Sequence, residues 1–178
     1  MRPGVYRTEH NQWQFVLWAP FAEQVELVFE HAPESIRLEK NNDGCWTTIL
    51  TELPADAMYG YCVDGKPRRA DRASGFQPEG VNGPSRVVDH QAFHWTDTQY
   101  TAVELDEYVI YELHIGTFTP EGTFDAAAER LETLKQMGVT AVEVMPVAQF
   151  PGSRNWGYDG TFPYAVQNTY GGPEGFKR

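Results

Sequence analysis

Apolar and polar positions alternate with period two through the first third of the chain. Trp13, Phe15 and Leu17 are interleaved with Gln14 and Val16 until Ala19-Pro20 ends the run, and Val25, Leu27 and Phe29 are interleaved with Glu26. Such alternation marks strands that bury one face. Asn41-Asn-Asp-Gly44 supplies a turn before Trp46-Thr-Thr-Ile-Leu50, and Tyr59, Tyr61 and Val63 form another apolar face closed by Asp64-Gly65. Short strands separated by turns from Trp13 to about Val63 predict an antiparallel, immunoglobulin-like β-sandwich.

The grammar then changes twice. Residues 64 to 106 carry many Gly, Pro, Asp and Arg residues and little periodicity, so they read as a long ordered connection with a short strand near Arg86-Val-Val88. Beyond residue 106 the pattern is strand, helix, strand: Tyr108 to Ile115, Phe124 to Met137, and Val139 to Met145. Thr123 suits an N-cap, Asp125 falls in the dipole-favoured first turn and Gly138 suits the position after the helix. This predicts one βαβ unit, and divides the chain into a sandwich over 1–95, a linker over 96–106 and an α/β portion over 107–178. Parallel strands need cover on both faces, so a lone pair would leave apolar surface in water.

Composition narrows the functional classes. With 14 Lys+Arg against 25 Asp+Glu, the net charge of -11 repels phosphate backbones and anionic lipids, which argues against nucleic acid and membrane surfaces as partners. No apolar run reaches the roughly 18 residues of a membrane span, and Met1-Arg-Pro-Gly-Val-Tyr-Arg7 lacks the apolar core of a signal peptide, so a cytoplasmic location is expected. There a reducing environment would keep the 2 cysteines, Cys45 and Cys62, as thiols, and two thiols without nearby histidines fall short of a zinc set. Lys66-Pro-Arg-Arg69 reads as a solvated turn or as a contact to substrate or partner.

Several polar residues interrupt the apolar strands of the α/β portion. Glu112 and His114 are two apart and share a face of the first strand, either as a satisfied structural pair or as part of a substrate site. Glu143 interrupts the second strand, where a buried carboxylate would need a partner and could pair with His114. Glycoside hydrolysis needs two carboxylates, and Glu112 with Asp159 is one such combination among many in an acidic chain. Asn155-Trp-Gly-Tyr-Asp-Gly160 follows the second strand, where Trp156 suits either loop packing or a sugar face and Asp159 can accept hydroxyl hydrogen bonds. Trp13, Trp18, Trp46 and Trp95 are candidate sugar platforms, with core packing the competing role.

Ile110-Tyr-Glu-Leu-His-Ile-Gly-Thr-Phe118, Met145-Pro-Val-Ala-Gln-Phe150, Asn155-Trp-Gly-Tyr-Asp-Gly160 and the upstream Gly75-Phe-Gln-Pro-Glu-Gly-Val-Asn-Gly-Pro-Ser85 together resemble the malto-oligosyltrehalose trehalohydrolase family of the α-amylase superfamily. Phe15-Val-Leu-Trp-Ala-Pro20 is similar to the N-terminal sandwich that this family shares with branching and debranching enzymes.

The resemblance implies a (β/α)₈ TIM barrel, of which residues 107 to 178 would supply only the opening, since such a barrel needs roughly 250 residues. It implies hydrolysis of the α-1,4 bond next to the terminal trehalose of maltooligosyl trehalose, with α-glucan as partner and no organic cofactor; no metal site is expected from the residues themselves. It implies that Tyr158 stacks on the sugar before the cleaved bond, with Trp156 and Asp159 in the same motif and Glu112, His114 and Glu143 as scaffold. The family's catalytic Asp and Glu lie after later barrel strands, so no residue here takes a catalytic label and the 178-residue chain alone is expected to be inactive.

Overall fold

The computed structural model describes all 178 residues, Met1 to Arg178. The strands β1 (Gly4–Arg7), β2 (Trp13–Trp18), β3 (Val25–Phe29), β4 (Ile36–Arg37), β5 (Glu39–Lys40), β6 (Cys45–Leu50), β7 (Met58–Val63) and β8 (Ser85–Arg86) form two antiparallel sheets. Their orders are β1-β2-β6-β5 and β4-β3-β7-β8. The predicted alternation decides what faces inward: Phe15, Val25, Leu27, Phe29, Tyr59 and Tyr61 are buried in one cluster with Trp46. Phe15 meets the edges of Phe29 and Tyr59 at centroid distances of 5.7 and 5.3 Å. Such contacts add about 0.5–1.5 kcal/mol each beyond area burial.

The sheets extend beyond the predicted run. β1 precedes the alternation, and β8 takes Ser85 and Arg86 rather than Arg86 to Val88. The connection after β7 also folds back. Arg69 exchanges two backbone hydrogen bonds with Tyr61, 2.8 and 2.9 Å, and Arg68 pairs with Glu30 at 3.0 Å. A side chain at Gly60 would lie 2.6 Å from the Arg69 carbonyl oxygen, which is why the strand has glycine there. The basic run is therefore partly spent on the sandwich itself. Cys45 is buried in β6 and Cys62 lies in β7 of the other sheet, both as free thiols.

The remaining elements are β9 (Ile110–Leu113), α1 (Ile115–Phe118), α2 (Phe124–Ala128), α3 (Leu131–Gln136), β10 (Ala141–Val144), β11 (Ala148–Gln149), β12 (Phe162–Val166) and α4 (Gly172–Lys177). β9 and β10 pair in parallel across α1 to α3, giving a βαβ unit, while β11 and β12 form an antiparallel ribbon. Thr123 caps α2 by accepting from the Ala126 amide at 3.3 Å, and Gly138 takes a positive φ of 92° just after α3. A second core gathers Leu113, Ile115, Phe124, Leu134, Phe150 and Tyr170. No helix is long and apolar enough to cross a membrane.

Three expectations are corrected. The single helix from Phe124 to Met137 divides at Glu129-Arg130, where the Arg130 amide bonds back three residues to Ala127 rather than four. The first strand ends at Leu113, because His114 becomes the extended N-cap of α1. Glu143 does not pair with His114. Its register partner on β9 is Glu112, and both carboxylates are exposed.

Candidate functional site

The site grows from the ribbon that holds the loop between β11 and β12. Gln149 and Gln167 are fully buried at its base, and each amide is used at both ends. Gln149 donates to the Phe150 carbonyl and the Asn168 side chain at 3.0 and 3.2 Å while accepting from the Asn168 amide at 2.9 Å. Gln167 accepts from the Phe150 amide at 3.0 Å and donates to the Gly152 carbonyl and Thr169 hydroxyl at 3.0 and 2.9 Å. A buried amide with every group paired fixes backbone position, because each lost partner leaves a desolvated polar atom. Asn168 extends the frame by donating to the Pro78 carbonyl at 2.9 Å, 90 residues back in the sequence. Neither glutamine carries a periodicity signal; two amides beside apolar strand positions were the available hint.

The loop itself is organised by Asn155. Its side-chain oxygen accepts from the Gly157 amide at 2.8 Å and its amide nitrogen donates to Asp159 at 3.1 Å. Gly157 has φ of 99°, and any side chain there would collide with the Pro146 carbonyl, so glycine is required by both conformation and space. Pinning Gly157 inward turns its neighbours outward: Trp156 is 74% and Tyr158 is 70% exposed.

His114 anchors the floor. Its Nε2 lies 2.7 Å from the Asn155 carbonyl, which requires the proton on Nε2, and leaves Nδ1 to accept from the Thr117 hydroxyl at 3.3 Å. The Tyr170 hydroxyl also lies 3.3 Å from Nε2, and burial pushes that phenol upward so that it stays protonated. A cavity of about 540 Å³ opens here, lined by His114, Gly116, Thr117, Ser153, Arg154, Asn155 and Trp156. A side chain at Gly116 would lie 2.9 Å from the Tyr170 ring and narrow this floor.

The predicted residues therefore divide. Trp156 and His114 share the cavity, with Asn155 and Arg154, which sequence reasoning did not single out. Asp159 is tied into the loop by Asn155, and Tyr158 stands outside the cavity with its ring free. Glu112 and Glu143 lie exposed on the parallel strands and line none of it. No group of three or more His, Cys, Asp or Glu side chains is arranged to hold a metal. Among the tryptophans, Trp46 is buried and donates to the Ala19 carbonyl at 2.9 Å, Trp13 is covered by Arg7, and Trp18 and Trp95 are more than half exposed.

Residues 4–77, which hold most of the two-sheet sandwich, match the family model described as carbohydrate-binding module 48 (isoamylase N-terminal domain). Along nearly its whole length the chain is similar to malto-oligosyltrehalose trehalohydrolases, and it corresponds to their N-terminal portion. It is 43% identical over 173 residues to that of Saccharolobus solfataricus and 44% identical over 170 residues to that of Arthrobacter ramosus, covering 97% and 93% of this chain but 30% and 29% of those proteins. The chain thus spans about 30% of the length of the curated relatives it matches. A crystal structure from Salmonella typhimurium, provisionally described as an alpha amylase, superposes with a TM-score of 0.90 at 39% identity, over 98% of this chain and 30% of that one.

Proposed function

We propose that this chain provides the N-terminal domain and the opening of the catalytic barrel of a trehalohydrolase, which cleaves the α-1,4 bond next to the terminal trehalose of maltooligosyl trehalose. On this reading residues 1–95 are the sandwich, 96–106 the linker, and β9 and β10 the first two strands of a (β/α)₈ barrel whose active site assembles at the C-terminal ends of its strands. The loop after β10 then lies at that face. Tyr158 stacks on the sugar before the scissile bond, Trp156 walls the adjoining cavity, and Asp159 accepts hydroxyl hydrogen bonds while holding Asn155. The bond itself is broken by two carboxylates, a nucleophile and an acid/base, from outside these residues.

The observation that carries this reading is the 43% identity over 97% of the chain to a trehalohydrolase, together with the rigidly framed loop that turns Trp156 and Tyr158 outward. The test is to substitute this chain for the matching segment of the Arthrobacter ramosus relative. The chimera is expected to release trehalose, and Tyr158→Ala to lower its kcat/KM at least about tenfold, or about 1.4 kcal/mol of transition-state stabilisation. A folded chimera that releases no trehalose sinks the proposal.

The match to a carbohydrate-binding module also supports a role of the sandwich in holding α-glucan directly. Retarded migration of the chain in an amylose gel is the expected result.

A further inference from the structure

A second cavity, of about 550 Å³, lies at the seam between the sandwich and the α/β portion, away from the motif loop. One wall is β1 with the residues just before it, contributing Arg2, Val5 and Tyr6; the other includes His90 and Tyr164 of β12, and Gly4, Ala73 and Gly75 form its backbone lining. The volume falls within the roughly 300–1,000 Å³ of ordinary small-molecule sites. Gly4 has φ of 116°, and a side chain there would press to 3.3 Å from the Ala73 carbonyl, so glycine lets β1 approach the Ala73 backbone at the cavity's edge. We propose that this seam cavity is an accessory saccharide site, in which the Tyr6 and Tyr164 rings flank a neutral α-glucan unit and Arg2 and His90 hydrogen-bond its hydroxyls.

The chemistry favours a neutral polyol over an anion. The Arg2 guanidinium, the two phenols and the imidazole make no side-chain hydrogen bond or ion pair within the protein, so four polar tips and two aromatic rings are available to a ligand. Aromatic faces beside unpaired donors and acceptors match a pyranose, which has apolar faces and a rim of hydroxyls. Only one lining group is a fixed cation. Desolvation and the Lys177 ammonium lower the His90 pKa, with Arg2 adding to that and Glu174 and Asp89 opposing it, so the imidazole is neutral at pH 7 and both donates and accepts. One guanidinium in a chain of net charge -11 makes a poor anion cage but an ordinary sugar contact.

The cavity also straddles two units. Tyr6 belongs to the matched module and Tyr164 to the ribbon that frames the motif loop, so an occupant would clamp them together. The inference rests on the reading of this chain as one that handles α-glucan.

The test is a titration of the isotopically labelled 178-residue chain with maltotriose, following backbone amide resonances. The expected result is saturable shifts at Gly4, Val5, Ala73 and Gly75. Tyr164→Ala, on an exposed ring, and Arg2→Ala should each weaken that response at least tenfold while leaving any shift at Asp159 unchanged. Shifts confined to Asn155 to Asp159 would overturn the seam site and leave the glucan reading standing, and no shift at either place would remove both. Shifts at the seam with sodium sulfate but not with maltotriose would identify an anion site and overturn the proposal equally.

Discussion

In the sandwich, Phe15, Leu27 and Phe29 meet across two four-stranded sheets and are 5% exposed or less, whereas Ile110, Val142 and Val144 on β9 and β10 keep 61%, 36% and 37% of their surface in water. The two regions have similarly apolar strands. What differs is cover: antiparallel sheets facing each other seal themselves, while a two-stranded parallel pair depends on neighbours, and of its residues Leu113 alone joins the buried cluster with α2 and α3. The lesson is that the amino-terminal region is stabilised by its own contacts and the parallel pair is held chiefly through the second core beneath it.

The sharpest way to break this comparison is to delete side chains from both. Phe15→Ala is expected to destabilise the sandwich by about 3–5 kcal/mol, and Ile110→Ala to change stability by less than about 0.5 kcal/mol, in urea unfolding followed by tryptophan fluorescence. Comparable losses from both would show that β9 is as well packed as β2.

A smaller effect tests how the sandwich treats polar groups. The Tyr59 hydroxyl donates to buried Asp71 at 2.8 Å, whereas the buried Tyr61 hydroxyl has no partner. Tyr59→Phe should cost about 1–3 kcal/mol by leaving Asp71 underpaired, while Tyr61→Phe should be neutral or slightly stabilising. Burial holds the Asp71 carboxyl above its ordinary range and both phenols well above theirs. Equal losses would indicate that Tyr61 has a partner after all.

The smallest expected effect is at the surface turn. Asp64 accepts from the backbone amides of Gln24 and Glu23 at 2.9 and 2.8 Å, which hold its carboxyl below the usual range. A depressed acid contributes stability above its unfolded value of roughly 3.9, and that contribution is lost as pH falls through the lower folded value. Asp64→Asn keeps a residue tolerant of the positive φ of 52° but removes the charge. The native protein should therefore lose more stability than the variant between about pH 5 and 2, by urea midpoints at each pH. Parallel curves would assign the acid response elsewhere.

The same contrast explains what could be read from the sequence. β3 declares itself because one face is sealed, so Val25, Leu27 and Phe29 are buried and Glu26 and Val28 less so, whereas in β2 and β7 the apolar spacing is legible although Val16 and Gly60 on the other face are buried as well. β4, β5 and β8 have two residues each, too few for a period. His114 continues the alternation of β9 yet leaves the strand, because its ring is held by a carbonyl 41 residues downstream that no local pattern encodes. The motif Asn155 to Gly160 was legible as a loop, with Trp156 left open between packing and a sugar face; the Gln149 and Gln167 frame beneath it was not, since buried amides acquire meaning only from long-range partners.

The sandwich's portability follows from where its seams are fastened. The family match ends at Gln77, but Asp71 still relies on the Ser85 hydroxyl, Tyr59 pairs with Ser85 in β8, and Arg7 reaches Asp89 at 2.9 Å. Excising the module at residue 77 would strip an edge strand and leave the buried Asp71 amide without its acceptor, whereas a cut beyond Asp89 would carry its fastenings along. The unit that can be transplanted is longer than the unit that sequence similarity outlines.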